Sequence, residues 1–261
     1  MTTPFHNQEH LTLPWQTGKE QHCHMEPWLV SVDTLKAWSK CTKKFQYHVA
    51  EQFRWPTDPS NFDFGQNVHK LMDYQAKGHD CSLLLNDADT RVQTAWELLV
   101  NHPSSKREHC LASEWGFTLP APAFHRENTW LIGRMDRLNH VDNTVQVIDW
   151  KTGTATPKNP IEDWQTRIYL YVAYETRSVF GLEHYTHNQF EFIYVGVKER
   201  YHDIQCVRIP YNANMHQETT SRLSHTLSVI HQAMEHQTYY LPQQCPDKWC
   251  PYKEICGIQT L

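Results

Sequence analysis

Long apolar runs are missing from this chain of 261 residues: none approaches the roughly 18 needed to cross a bilayer, so no membrane span is expected. The opening stretch MTTPFHNQEHLTLPWQ has neither a basic leader nor an apolar core, which argues against a secretory signal and makes the cytoplasm the expected location. Glycine is scarce, at 9 residues; with 14 prolines and 12% aromatics this excludes collagen-like, low-complexity and generally disordered chains. No repeat at a period of about 20 to 50 residues is present, which excludes solenoids and propellers. No G-x-x-x-x-G-K-[ST] loop occurs, so any ATP-driven motor must come from a partner. Positive charge is not in excess either. With 24 Lys and Arg against 29 Asp and Glu, the net charge is −5, and nucleic acid would have to be held by a local basic patch.

What is there is a chain long enough to bury a large core. Residues 1–29 lack periodicity and read as a loose arm, with a single domain over 30–261. The 18 His are scattered, and His22-Cys23-His24 reads as part of that scatter. Ser31 to His48 reads as one helix, with Leu35, Trp38, Thr42 and Phe45 at three- and four-residue steps. Further helices are expected over about Asn61–Lys77, Asp89–Val100, Ile161–Val179 and Ala213–His236. Period-two patterns mark strands at Leu111–Leu119, Thr129–Leu138, Thr144–Trp150, 189–197 and 204–210. This order predicts an α/β fold with a mixed β-sheet flanked by helices.

The most informative stretch is GRMDRLNHVDNTVQVIDWKTG, from Gly133 to Gly153. A two-residue turn at Asp142-Asn143 would place Asp136 directly opposite Asp149, with Cβ atoms about 5 Å apart. Strand alternation puts Lys151 on the same face. Two carboxylates at that spacing repel by about 3 kcal/mol at an effective dielectric of about 20. A divalent cation in the gap would remove the repulsion, and carboxylates with water suit Mg²⁺ or Mn²⁺. The alternative is a surface hairpin with solvated charges; the flanking Ile132, Val147, Ile148 and Trp150 favour a buried strand instead.

GRMDRL followed by VIDWKTG resembles the active-site core of the PD-(D/E)XK nuclease superfamily, and more closely its RecB-like branch. The resemblance implies a restriction-endonuclease-like fold, Mg²⁺ or Mn²⁺ on Asp136 and Asp149, and phosphodiester hydrolysis assisted by Lys151. His69, in FGQNVHKLMD, matches the helix-borne metal ligand of such proteins, although on its own it is one His of 18. Glu114 matches an acidic position that acts as a ligand or stands behind the ligands; an outward strand Glu is the alternative. Gln165 and Tyr169, at i and i+4, resemble the Q-x-x-x-Y motif of RecB-like and CRISPR-associated exonucleases and are expected to support catalysis.

Eight Cys in a cytosolic chain point to metal or redox chemistry rather than disulfides. Cys41 on the first helix and Cys245, Cys250 and Cys256 in the tail resemble the four ligands of iron–sulfur nucleases, implying a 4Fe–4S cluster that joins the two ends of the domain. The C-x4-C-x5-C tail departs from the commoner C-x2-C-x5-C, and a four-cysteine Zn²⁺ site is the alternative. Lys36, Lys40, Lys43 and Lys44 form a run near Cys41 that would supply phosphate contacts beside a nuclease groove. The expected function is a metal-dependent DNA nuclease acting as a single-strand exonuclease in repair or recombination, with a helicase or CRISPR-adaptation protein as partner. A CRISPR-adaptation-type exonuclease and a noncatalytic DNA-binding scaffold are the competing readings.

Overall fold

The computed structural model describes residues 26–53, 60–122, 128–152, 156–198, 203–242, 245 and 250–257. His22-Cys23-His24 and most of the arm lie outside the described residues. The architecture is a six-stranded mixed sheet with helices on both faces. Its strands are β1 (Trp28–Val30), β2 (Cys110–Pro120), β3 (Thr129–Val141), β4 (Thr144–Thr152), β5 (Phe190–Lys198) and β6 (Asp203–Pro210). The strand order is β1-β3-β4-β5-β6, and β2 pairs along the remaining edge of β3. Parallel β4 and β5 are joined by the crossover helix α6 below, as a parallel pair requires.

The helices are α1 (Val32–Lys40), α2 (Thr42–Phe45), α3 (Ser60–Lys77), α4 (Ser82–Asn86), α5 (Thr90–Val100), α6 (Trp164–Glu175), α7 (Ala213–Glu235) and α8 (Lys253–Cys256). Short polar side chains start several of them by accepting an otherwise orphan backbone N–H: Ser31 takes Thr34 N, Asp89 takes Val92 N, Asp163 takes Gln165 N and Asn212 takes Met215 N. The helix expected over Ser31–His48 is broken. At Cys41 the backbone is extended (φ −167°, ψ 122°), and the chain restarts as α2 and a π-helical turn over Gln46–Ala50. The sheet also begins earlier than read, because Trp28–Val30 pairs in parallel with Thr129–Leu131.

Two apolar layers sandwich the sheet. One packs α1, α6 and α7 through Leu35, Leu170, Val172 and Leu223 against Val147 and Phe192. The other packs α3 and α5 through Val68, Met72 and Leu99 against Ile148, Trp150 and Val195. Period-two alternation along β4 thus sends Val147, Asp149 and Lys151 toward α6, and Ile148 and Trp150 toward α3.

The hairpin forms in the expected register, with Asp142 at φ +53° and Val141 opposite Thr144. The β3–β4 ladder stops at Arg137↔Ile148, one pair short of Asp136 and Asp149. Toward its N-terminal end the same edge of β3 is occupied by β1 instead. The sheet therefore forks, and the fork is where the candidate site lies.

Candidate active site

Asp136 sits at the mouth of the fork and replaces the missing ladder bond with its side chain: Oδ2 accepts the backbone N–H of Trp150 at 2.8 Å. Its other oxygen, Oδ1, faces His69 Nδ1 at 3.4 Å. His69 reaches the fork from α3, where its Nε2 lies 3.0 Å from the carbonyl oxygen of Trp150. That carbonyl can only accept, so Nε2 carries the proton and Nδ1 is turned toward carboxylates. Gly65, one turn earlier, brings α3 close to β4; a Cβ there would lie 3.0 Å from Thr152 Oγ1.

Glu114 approaches from β2 with an unusual backbone, at φ +48°. Ser113 pairs with Arg137 and Trp115 with Met135, but Glu114 drops out of the ladder between them. This left-handed kink, of order 1 kcal/mol or more for a non-glycine residue, aims the carboxylate into the site. Oε1 lies 3.8 Å from His69 Nδ1, and Oε2 takes Arg134 Nε at 2.7 Å. Ligand atoms of His69, Glu114 and Asp136 all fall within 4.8 Å of one another, close enough to share one ion.

On the α6 side of the fork, Asp149 is 2% exposed. Its Oδ1 accepts from Gln165 Nε2. Lys151 Nζ lies 2.7 Å from Oδ2 as its ion-pair partner. Lys151 Nζ also donates to Gln165 Oε1 at 3.1 Å. Gln165 is held in the first turn of α6, where its backbone N–H bonds the Asp163 cap at 2.8 Å. Tyr169, one turn on, is largely core: its ring packs edge-on against Phe117 and beside Phe192, while its hydroxyl interacts with Gln165.

The electrostatics follow from burial and crowding. Burial disfavours a charged His69, but Asp136, aided by Glu114 and Asp149, outweighs it and carries the imidazole to about 10. Burial raises the Asp149 carboxyl, and Asp136 raises it further against the pull of Lys151 and His69. Burial likewise raises the Tyr169 phenol, with Asp136 and Asp149 adding to it, so it stays protonated.

These features fit a hard divalent cation. An imidazole nitrogen faces two carboxylates, and a third carboxylate is buried close by with one ammonium against it; a cation would relieve the crowding of negative charge. Beside these groups runs an open groove of about 960 Å³, lined among others by His69, Lys70, Lys77, Glu114 and Arg134.

The structure brings the expected residues Asp136, Asp149, Lys151, His69, Glu114 and Gln165 into one constellation, and seats Tyr169 behind it. Two contributors carried no sequence signal: the backbone N–H and carbonyl of Trp150, which orient Asp136 and His69. The cysteines are arranged differently. Burial raises the Cys256 thiol, and Cys250, Cys41 and Cys245 add to the rise, so the tail faces the helix break at Cys41. Among the described residues, however, no cysteine belongs to a group tight enough to share a single ion. Cys41 lies at a junction between helices rather than on one. Tyr252 anchors the tail, donating to the Phe53 carbonyl at 2.8 Å and meeting His48 Nδ1 at 3.1 Å.

The profile of the PD-(D/E)XK nuclease superfamily matches residues 29–257, and the chain belongs to that superfamily. Among solved structures, a proposed exonuclease from Eubacterium rectale is similar in fold, with a TM-score of 0.50 and 13% identity over 87% of this chain and 88% of that one. SSO0001 aligns with a TM-score of 0.42 and 16% identity, covering 89% and 87% of the two chains. No curated protein matches the chain. No helix among the described residues is long and apolar enough to cross a membrane.

Proposed function

We propose that this protein is a Mg²⁺- or Mn²⁺-dependent deoxyribonuclease that hydrolyses phosphodiester bonds, working as an exonuclease on single-stranded ends in DNA repair or recombination. The observation that carries the reading is the convergence of His69 Nδ1, Glu114 and Asp136 beside the buried Asp149 carboxylate and its Lys151 partner. His69, Glu114 and Asp136 would hold the ion, and Asp149, which lies outside the group close enough to share one ion, would join as a further ligand. When bound, such an ion supplies Lewis-acid polarisation of a phosphoryl oxygen and a more acidic water. Lys151, 2.7 Å from Asp149, orients the nucleophile and offsets charge growing on the phosphate. Gln165 fixes both: its amide nitrogen serves Asp149 and its amide oxygen serves Lys151. Tyr169 supports Gln165 from below. The exonuclease mode is in keeping with the similar fold of the Eubacterium rectale protein, itself a proposed exonuclease.

The second part of the reading is a 4Fe–4S cluster on Cys41, Cys245, Cys250 and Cys256. It rests on the ties that hold the tail against the segment around Cys41, Thr42 with Tyr240 and Tyr252 with His48 and Phe53. Iron and sulfide analysis of anaerobically purified protein tests it; zinc in their place would overturn it.

Degradation of end-labelled single-stranded DNA in Mg²⁺ or Mn²⁺, compared with Asp149→Ala, tests the activity. Metal-dependent loss of label that the variant abolishes is expected. Binding without turnover would favour a noncatalytic scaffold. Dependence on a CRISPR-adaptation partner would move the protein to that pathway.

A further inference from the structure

The lysine run around Cys41 is divided by the helix break, and one member is set apart from the others. Lys36, on α1, points across to the first turn of α6, where its Nζ lies 3.0 Å from Asp163 Oδ1 and 3.4 Å from Gln165 Oε1. That same Gln165 oxygen receives Lys151 Nζ at 3.1 Å. Two ammonium groups from distant parts of the chain therefore share one amide oxygen, at the N-terminus of a 12-residue helix. Their mutual repulsion in a half-buried place is offset in part by Asp149 and Asp163.

We propose that Lys36 is a substrate-contacting cation, which with Lys151 seats a backbone phosphate of the DNA strand. The proposal rests on the nuclease reading and extends it to a residue that the superfamily motifs do not include. Three physical points converge on it. An ammonium carries three N–H donors, and Asp163 and Gln165 occupy two of them, leaving one among the described residues for an incoming acceptor. The first turn of α6 adds the positive end of its dipole to the two lysines. Finally, Lys36 is partly exposed, with 36% of its side chain accessible, so phosphate can reach it.

A purely structural Lys36 would act only as a tie between α1 and the cap of α6, and Asp163 separates the two cases. Asn at 163 still caps the helix but no longer neutralises Lys36. Binding of a labelled single-stranded oligonucleotide is measured with Ca²⁺ replacing Mg²⁺, across about 50 to 200 mM KCl, for wild type, Lys36→Met, Lys36→Arg and Asp163→Asn. Lys36→Met is expected to bind about tenfold more weakly, with a salt dependence shallower by about 0.7 in the log–log slope, the contribution of one single-strand phosphate. Lys36→Arg keeps the slope, because the charge remains; Asp163→Asn keeps it as well. An unchanged slope in Lys36→Met overturns the proposal, as does an Asp163→Asn variant that loses as much as Lys36→Met. A wild type that binds but never cleaves in Mg²⁺ overturns the nuclease reading alone, and the slope comparison still decides Lys36. A wild type that does not bind the oligonucleotide overturns both.

Discussion

Asp149 shows most directly how function sits against stability at a single residue. A carboxylate at 2% exposure, next to Asp136, is an arrangement that folding alone would not select. Asp149→Asn is accordingly expected to abolish cleavage while raising the melting temperature of the metal-free protein by about 2–4 °C, roughly 1 kcal/mol for a chain of this size. The stabilising shift that Mn²⁺ gives the wild type should vanish in the same variant. Thermal melts with and without Mn²⁺ check both outcomes; a variant that melts lower would mean that Lys151 loses more than Asp149 gains. The opposition of Asp136 and Asp149 was legible because a two-residue turn sets the register by counting. The kink at Glu114 was not legible, because nothing in SEWGF marks a left-handed residue. Its cause is the neighbouring strand and the demands of the site.

At the scale of elements, what makes the site is the approach of α3 to the fork. The helix was readable from its apolar period, yet its distance from β4 depends on one missing Cβ at Gly65. Gly65→Ala would push against Thr152 Oγ1, shift α3 and withdraw His69 from Asp136. Mn²⁺ affinity, measured calorimetrically, is expected to fall about tenfold, the lower end of what loss of an orienting partner costs. Adding Thr152→Ala should restore most of it, since the oxygen in the way is gone. Equal loss in the double variant would show that Gly65 acts through something other than this contact. The break at Cys41 teaches the opposite lesson about elements. Apolar periodicity runs through it, so a single helix is the natural reading. The tail packing of Tyr252 and the Thr42–Tyr240 hydrogen bonds reward the broken form, and those contacts span about 200 residues.

Whole-molecule behaviour depends on groups far apart in the chain. If the four cysteines hold a cluster, Cys41→Ser should lose the visible absorbance and free the tail, so that limited proteolysis cuts after residue 241 while the sheet survives. A tail equally resistant in the variant would show that Tyr252 holds it alone. The pH response follows from His102, His187 and His216. Burial lowers all three, with Arg208 adding at His102, His216 and Arg177 adding at His187, and Arg177 adding at His216. The denatured chain takes up these protons near pH 6.5 and the folded chain only at lower pH, so the stability present above about 6.5 is lost as pH falls below it. His69 is raised, so its contribution is already complete below about 6.5 and does not tilt this window; it fades only as pH climbs toward about 10. Melting curves in an Asp149→Asn background, where that carboxyl no longer titrates, are expected to decline over this range. His187→Gln with His216→Gln should flatten the decline.

Local matters were legible in the chain: where most helices and strands run, the hairpin register that sets Asp136 against Asp149, the i and i+4 pairing of Gln165 and Tyr169, and membership in a recognisable class of hydrolase. These are short-range properties, written in turn chemistry and in the two side-chain periods. Only the tertiary structure decided that the ladder stops one pair early, that Trp150 lends its backbone to Asp136 and His69, that Glu114 is kinked inward, and that Lys36 reaches the amide already held by Lys151. Each of these joins residues from separate elements. Such contacts are settled by how whole layers pack, a property that no window of neighbouring residues contains.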